Sequence, residues 1–180
     1  MFVYNAGMGR TRTIPDAEVF RAIRSLLAER GEKAVAFSSV ARATGLAAPT
    51  LVQRYGSRDA MLRAALMAAW DGLEAATAAA AANAPLSPKG AAQLLKALSV
   101  GPAETADLTL LAADFRDPAL RHRALVWRQA VETALALRLG GGAKGREAAT
   151  FLFSAWQGQS LWQMAGGKTF KLKDAVKQLI

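Results

Sequence analysis

The sequence lacks cysteine entirely and contains one histidine in 180 residues. Without cysteine the chain has no disulfide, no thiolate metal site and no thiol nucleophile. The single histidine, His122, stands between Arg121 and Arg123, with no second histidine and no E-x-x-H spacing to complete a zinc or di-iron site. We therefore predict that the protein is not an enzyme and has no catalytic residues, bound metal or cofactor.

Long apolar runs are also missing from the sequence. No stretch is apolar enough to cross a bilayer, and the amino-terminal residues lack the apolar run of a signal peptide. Alanine-rich segments, few β-branched stretches and prolines at apparent helix starts favour an all-α protein. We expect a soluble cytoplasmic protein with no membrane partner.

Acidic residues are too few to balance the basic ones, and the net charge is +9. Lys and Arg outnumber Asp and Glu by 10 to 5 in residues 1–63 and by 13 to 9 in residues 64–180. The amino-terminal third is therefore the more densely basic part, which favours contact with a polyanion such as DNA. A basic balance alone is also common in proteins that simply stay soluble.

Apolar periodicity, interrupted at glycine and proline, predicts about nine helices and no convincing strand. Leu62, Leu66, Trp70 and Leu73 form the predicted core face of the fourth helix. The predicted helices span residues 13–30, 38–44, 47–55, 57–82, 89–99, 103–115, 119–139, 144–165 and 173–180.

Residues 37–62 show the pattern of a helix-turn-helix. Val40 and Leu51 fall on the inner faces of two short helices, and Gly45 stands at the reversal between them. That reversal often needs a positive φ, which glycine adopts at least cost. We predict that the second of these helices reads DNA in the major groove.

The same segment, V-A-x-x-x-G-L-x-x-P-T-L-x-x-x-Y-x-S-R-D-x-M-L over residues 40–62, resembles the amino-terminal signature of the TetR family of transcriptional regulators. The resemblance implies a three-helix DNA-binding domain, residues 1–56, followed by a helical ligand-binding and dimerisation domain, residues 57–180. The sequence departs from the family pattern at Val52, where the family usually has a tyrosine that touches a phosphate. It departs again at Arg58 and Asp59, which replace Lys-Glu.

The predicted DNA contacts lie on the reading helix and at two helix starts. Arg54 can donate two hydrogen bonds to guanine, and Gln53 can form a pair of hydrogen bonds with adenine, donating one and accepting the other. Ala48 and Pro49 offer apolar contact to a thymine methyl. The alternative is that Arg54 and Gln53 form only a solvated helix face. The residues predicted to contact phosphate are Ser38, Ser39, Thr50 and Arg58.

Most aromatic residues lie outside the predicted DNA-binding domain. The family resemblance implies a ligand cavity among the fourth to eighth helices, and aromatic side chains with a few amides suit a small apolar or aromatic effector. Aromatic residues at helical spacing also commonly fill a core, so packing is the alternative for each of them. The predicted ligand-binding residues are Trp70, Phe115, Trp127, Phe153 and Gln157.

The eighth predicted helix combines small and aromatic residues on one face. The resemblance implies that the last two long helices form a four-helix bundle across a homodimer, and a twofold dimer suits a palindromic DNA site. The predicted interface residues are Phe151, Ala155, Gly158, Gln159 and Trp162.

The resemblance and the residue patterns together indicate a ligand-responsive transcriptional regulator. We interpret it as a repressor that an unidentified small effector releases from double-stranded operator DNA. The alternative is a helical small-molecule-binding or interaction protein that has lost sequence-specific DNA binding, and Val52 is the reason to consider it.

Overall fold

The computed structural model of the protein describes residues 14–99, 115 and 117–179. These residues form eight α-helices, a short 3₁₀ turn at Glu32–Ala34 and no strand, which confirms the predicted all-α fold class. The predicted helix over residues 103–115 lies outside the described residues, apart from Phe115. The helices are α1 (Asp16–Arg30), α2 (Phe37–Thr44), α3 (Ala48–Tyr55), α4 (Arg58–Asn83), α5 (Pro88–Ser99), α6 (Pro118–Arg138), α7 (Gly142–Met164) and α8 (Leu172–Leu179).

The chain divides into two compact units, Met1–Ala65 and Leu66–Ile180, and the division falls within α4. In the amino-terminal unit, α1 packs against α2 and the 3₁₀ turn, and α2 packs against α3. Its core consists of apolar side chains that are fully buried, and burial of each such side chain contributes roughly 1.5–3 kcal/mol to folding. They are Val19, Ile23, Val35, Val40, Leu51 and Met61.

In the carboxyl-terminal unit, α7 packs on α6, and α5 packs on α6 and α8. The four residues predicted as the core face of α4 are all buried, so that prediction is confirmed. Arg123 on α6 pairs with Asp71 and Glu74 on α4, and its Nε lies 2.7 Å from a Glu74 oxygen. These ion pairs join α6 to α4 within this unit.

Candidate functional site

The turn between α2 and α3 has the geometry that the helix-turn-helix pattern predicts. Gly45 adopts φ 76° and ψ 6°, in the left-handed region that favours glycine. Its N–H donates to the carbonyl oxygen of Ala41 over 2.8 Å and ends α2. Val40 and Leu51 are both fully buried, so the two helices bury the residues that the sequence predicted.

One side of α3 is open to solvent. Pro49, Thr50 and Gln53 are exposed, and Val52 is 44% exposed. We call these four residues the reading face, and Ala48 lies half-buried at its edge. The reading face carries small side chains and one amide, which allow close approach to base edges in a major groove.

Arg54 and Tyr55 tie the carboxyl-terminal end of α3 to the start of α1. The Nη1 of Arg54 donates to the carbonyl oxygen of Ile14 over 2.9 Å and to Oδ1 of Asp16 over 3.1 Å. The hydroxyl of Tyr55 donates to the same Asp16 oxygen over 2.6 Å. Burial of the phenol, followed by its hydrogen bond to Asp16, raises the pKa of Tyr55 to about 12. Arg54, predicted to contact guanine, thus also holds two helices together.

Arg58 has a comparable place at the start of α4. Its Nε donates to the carbonyl oxygen of Val35 over 2.7 Å, and its Nη2 donates to that of Glu32 over 2.6 Å. Its Nη1 lies 2.8 Å from the carboxylate of Asp59. The predicted phosphate contact of Arg58 stays a prediction, and the side chain already joins α4 to the segment that precedes α2.

The two serines predicted to contact phosphate differ in their surroundings. Ser38 is exposed, whereas the hydroxyl of Ser39 accepts a hydrogen bond from the N–H of Ala36 over 3.0 Å and so caps α2. Arg42, which was not among the predicted contacts, is an exposed cation on α2. Its position within the helix-turn-helix, three residues before Gly45, was the signal that could have identified it.

A cavity of about 480 Å³ lies within the carboxyl-terminal unit, and all five predicted ligand-binding residues line it. Trp70 comes from α4 and Trp127 from α6, Phe153 and Gln157 come from α7, and Phe115 precedes α6. The remaining lining residues were not predicted, although those on α6 follow an i, i+3, i+4, i+7 pattern. They are Arg121, Ala124, Leu125, Arg128 and Ser154.

Four aromatic residues of this unit form a continuous row. The ring centroids of Trp70 and Trp127 are 5.9 Å apart, those of Trp127 and Phe153 are 5.8 Å apart, and those of Phe153 and Trp156 are 5.8 Å apart. All three pairs meet edge to face, the arrangement that aromatic quadrupoles favour. The row therefore serves as core packing, and three of its members, Trp70, Trp127 and Phe153, also line the cavity.

The predicted interface residues on α7 include two large exposed aromatic side chains. Phe151 is 64% exposed and Trp162 is 67% exposed, while Ala155, Gly158 and Gln159 between them are half-buried. Among the described residues, no atom outside the adjoining backbone of α7 lies within 4 Å of a Cβ built on Gly158. This face of α7 is thus an apolar surface with room for a partner.

No catalytic or metal centre is evident in the part of the chain that the structure describes. His122 is exposed on α6, and no group of three His, Cys, Asp or Glu side chains there is placed to hold a metal ion. No described helix is both long and apolar enough to cross a membrane.

The described helices define an all-α protein with a helix-turn-helix in its amino-terminal unit and an aromatic cavity in its carboxyl-terminal unit. Residues 19–65 match the sequence model of the family described as bacterial regulatory proteins, tetR family. The resemblance to the TetR family is thereby confirmed, and the chain has the fold of these regulators. No curated protein matches the chain significantly.

Two similar solved structures illustrate this fold. A transcriptional regulator from Rhodococcus sp. Rha1 has a TM-score of 0.72 and 17% identity, over 92% of this chain and 94% of that one. Multidrug binding protein EbrR complexed with malachite green has a TM-score of 0.66 and 20% identity, over 93% of this chain and 99% of that one. These similarities extend across both units of the chain.

Proposed function

We propose that this protein is a ligand-responsive, homodimeric transcriptional regulator, a repressor that a small apolar or aromatic effector releases from a palindromic operator. Residues 1–56 bind DNA, and residues 57–180 bind the effector and dimerise. The protein acts in the cytoplasm and catalyses no reaction. The observation that carries the proposal is the exposed reading face of α3. On their inner sides, α2 and α3 bury Val40 and Leu51 completely.

The effector half of the proposal rests on the cavity. Its volume of about 480 Å³ is within the range of roughly 300–1,000 Å³ that holds drug-sized ligands. Trp70, Trp127 and Phe153 offer aromatic surface to a flat ring, and Gln157 offers an amide. EbrR, which has the same fold, is a multidrug binding protein seen with malachite green, and this supports a small aromatic molecule as the effector class.

The dimer half rests on α7. Phe151 and Trp162 would leave large apolar areas in water in a monomer, and such exposed patches commonly mark interfaces. A twofold dimer would present two reading faces to the two halves of a palindrome.

The alternative, a ligand-binding protein without sequence-specific DNA contact, is favoured by two observations. Val52 offers the reading face no hydrogen-bond donor, and both Arg54 and Arg58 already have partners within the protein. The two functions differ in what the reading face does, so they can be separated experimentally.

The test is a gel-shift titration with the DNA upstream of the protein's own coding sequence, against a scrambled duplex, at two salt concentrations. We expect the upstream DNA to bind at least 100-fold more tightly, and Gln53→Ala to reduce that preference by about tenfold. Gln93→Ala, an exposed change on α5, is the matched control and should have no effect. Equal affinity for both duplexes, with aromatic molecules still bound, would favour the alternative.

A further inference from the structure

We infer that the cavity selects an aromatic acid, a flat ring system that carries a carboxylate, over an aromatic cation. This inference rests on the proposed function, because it names the chemical class of the effector. Three observations support it: the charges of the lining residues, the pairing of the nearby carboxylates with groups outside the cavity, and the indole N–H of Trp70, which has no partner among the described residues.

The charged side chains among the described lining residues are both cationic. Arg121 and Arg128 line the cavity, and none of its described lining residues is Asp or Glu. Ser154 and Gln157 are neutral. An ammonium or iminium group in the cavity would therefore meet like charge, whereas a carboxylate would meet opposite charge.

The carboxylates closest to these arginines along the helices are already engaged. Asp71 and Glu74, next to Trp70 on α4, pair with Arg123. Asp117 caps α6 and accepts from the N–H of Ala119 over 2.8 Å. These acidic groups serve the fold and do not neutralise the cavity.

The two lining arginines have different partners. Arg128 pairs with Glu132 over 2.8 Å, and its guanidinium carbon lies 5.2 Å from the ring centroid of Phe153. Arg121 donates to the carbonyl oxygen of Phe115 over 3.1 Å, and no described carboxylate pairs with it. Arg121 is exposed, so its charge is available to a ligand at the cavity mouth. Arginine is well suited to this task because its planar guanidinium can bind a carboxylate through two hydrogen bonds.

Three buried indoles give the second, independent observation. Trp127 donates to the hydroxyl of Thr77 over 2.8 Å, and Trp156 donates to the hydroxyl of Ser99 over 2.8 Å. Trp70 is only 3% exposed, yet its Nε1 has no hydrogen-bond partner among the described residues. Buried indole N–H groups usually find an acceptor. Trp70 lines the cavity but its Nε1 is buried, so a ligand oxygen satisfies this nitrogen when the indole turns toward the cavity on binding.

These groups define the expected mode of binding. The ring system lies against the aromatic wall formed by Trp70, Trp127 and Phe153. The carboxylate pairs with Arg121, and an oxygen of the ligand accepts from the indole of Trp70. The described lining residues carry a net positive charge, because Glu132 offsets only Arg128.

The experiment uses three probes with one ring system and different charges: 2-naphthoate, neutral 2-naphthamide and cationic 2-naphthylmethylammonium. Calorimetry and tryptophan fluorescence of the full-length protein measure their affinities. We expect 2-naphthoate to bind at least tenfold more tightly than the cation.

Two variants test the groups that recognise the ligand. Arg121→Gln should weaken the binding of 2-naphthoate about tenfold and leave the affinity for 2-naphthamide nearly unchanged. Trp70→Phe, which keeps a ring but removes the N–H, should weaken both oxygen-bearing probes about threefold or more.

The controls separate a local effect from the general positive charge of the protein. Lys89→Gln removes an exposed cation on α5, outside the cavity, and should leave all three affinities unchanged. Circular dichroism and thermal melting of each variant check that it is folded. If Arg121→Gln does not fold, Arg121→Lys replaces it, and a loss of affinity for 2-naphthoate alone is the expected result.

Each outcome bears on the inference. If the cation binds as tightly as the acid, or Arg121→Gln and Lys89→Gln act alike, the selectivity for acids is wrong while the cavity remains an effector site. If no probe binds, both the inference and the effector half of the proposed function fail. If 2-naphthoate binds selectively but leaves operator affinity unchanged, the inference stands and the proposed regulation is wrong.

Discussion

The guanidinium of Arg138, at the end of α6, donates a buried hydrogen bond to the carbonyl oxygen of Ala84 over 2.8 Å. A second hydrogen bond joins Arg138 to the carbonyl oxygen of Ala81, in the last turn of α4. Carbonyls at a helix end lack partners within the helix and attract a cation. Arg138 is only 4% exposed, so this contact stabilises the packing of two long helices within the carboxyl-terminal unit.

The first prediction concerns this contact. Arg138→Met should lower the free energy of unfolding by about 1–3 kcal/mol, because it leaves buried carbonyl groups without a donor. Urea unfolding monitored by circular dichroism measures the change. Arg146→Met, an exposed substitution on α7, is the control and should stay within about 0.5 kcal/mol of the parent. Equal losses in both variants would show that Arg138 contributes no more than a surface residue.

The second prediction separates the two roles of Arg54. Both of its hydrogen bonds to Ile14 and Asp16 use Nη1, so a guanine contact would use Nη2 or Nε. Arg54→Ala should weaken binding to the preferred duplex by about 1–3 kcal/mol and relax its sequence preference. Asp16→Ala, which removes the protein partner but keeps the arginine, should retain that preference. Fluorescence anisotropy with specific and scrambled duplexes measures both, and uniform losses for Arg54→Ala would remove it from base recognition.

The third prediction follows from the pKa of Tyr55, which rises from 10.0 to about 12 in the folded protein. The folded state holds the phenolic proton more tightly than the unfolded state, so this stabilisation is complete below pH 10 and is lost as the pH rises toward 12. The phenol is only half-buried, and we expect its contribution to be no more than about 1 kcal/mol. Urea unfolding of the parent and of Tyr55→Phe at several pH values isolates it, since other titrations cancel in the difference. A difference that stays constant across this range would contradict the prediction.

The fourth prediction concerns assembly through α7. Gly158→Glu places a charge on the predicted dimer face, and no described atom outside the adjoining backbone of α7 lies within 4 Å of a Cβ at this position. We expect a folded monomer, because burying two unpaired carboxylates in one twofold interface costs several kcal/mol. Operator affinity should also fall steeply, since two linked half-site contacts become one.

Sedimentation velocity at micromolar concentration decides the fourth prediction. Thr150→Glu, an exposed change on the same helix, should remain dimeric. A dimeric Gly158→Glu protein would place the interface elsewhere, and a monomeric parent would contradict the proposal of paired reading faces.

The predictions made from the sequence succeeded best where the determining residues are neighbours along the chain. The helix-turn-helix depends on Gly45 and on the spacing of Val40 and Leu51, all within 12 residues, and each of these has the predicted conformation or burial. The core face of α4 follows from one helical period in the same way. Four of the five predicted ligand-binding residues that line the cavity are aromatic, and large aromatic side chains commonly lie near the apolar interior of a helical unit. The fifth, Gln157, lies one helical turn after Phe153 on α7.

By itself, therefore, the sequence determined the all-α fold, the helix-turn-helix and the family resemblance. These features depend on apolar periodicity and on turn residues, which are set by neighbours along the chain. The tertiary structure decided which polar groups meet. Arg54 forms a hydrogen bond to Asp16, 38 residues away in the sequence; Trp127 forms one to Thr77, 50 residues away; and Arg138 forms one to Ala84, 54 residues away. Such partners depend on how each helix is rotated about its own axis against its neighbours, and apolar periodicity does not determine that rotation closely enough to predict them. The same rotation places Arg121 at the cavity and leaves the indole nitrogen of Trp70 without a partner among the described residues.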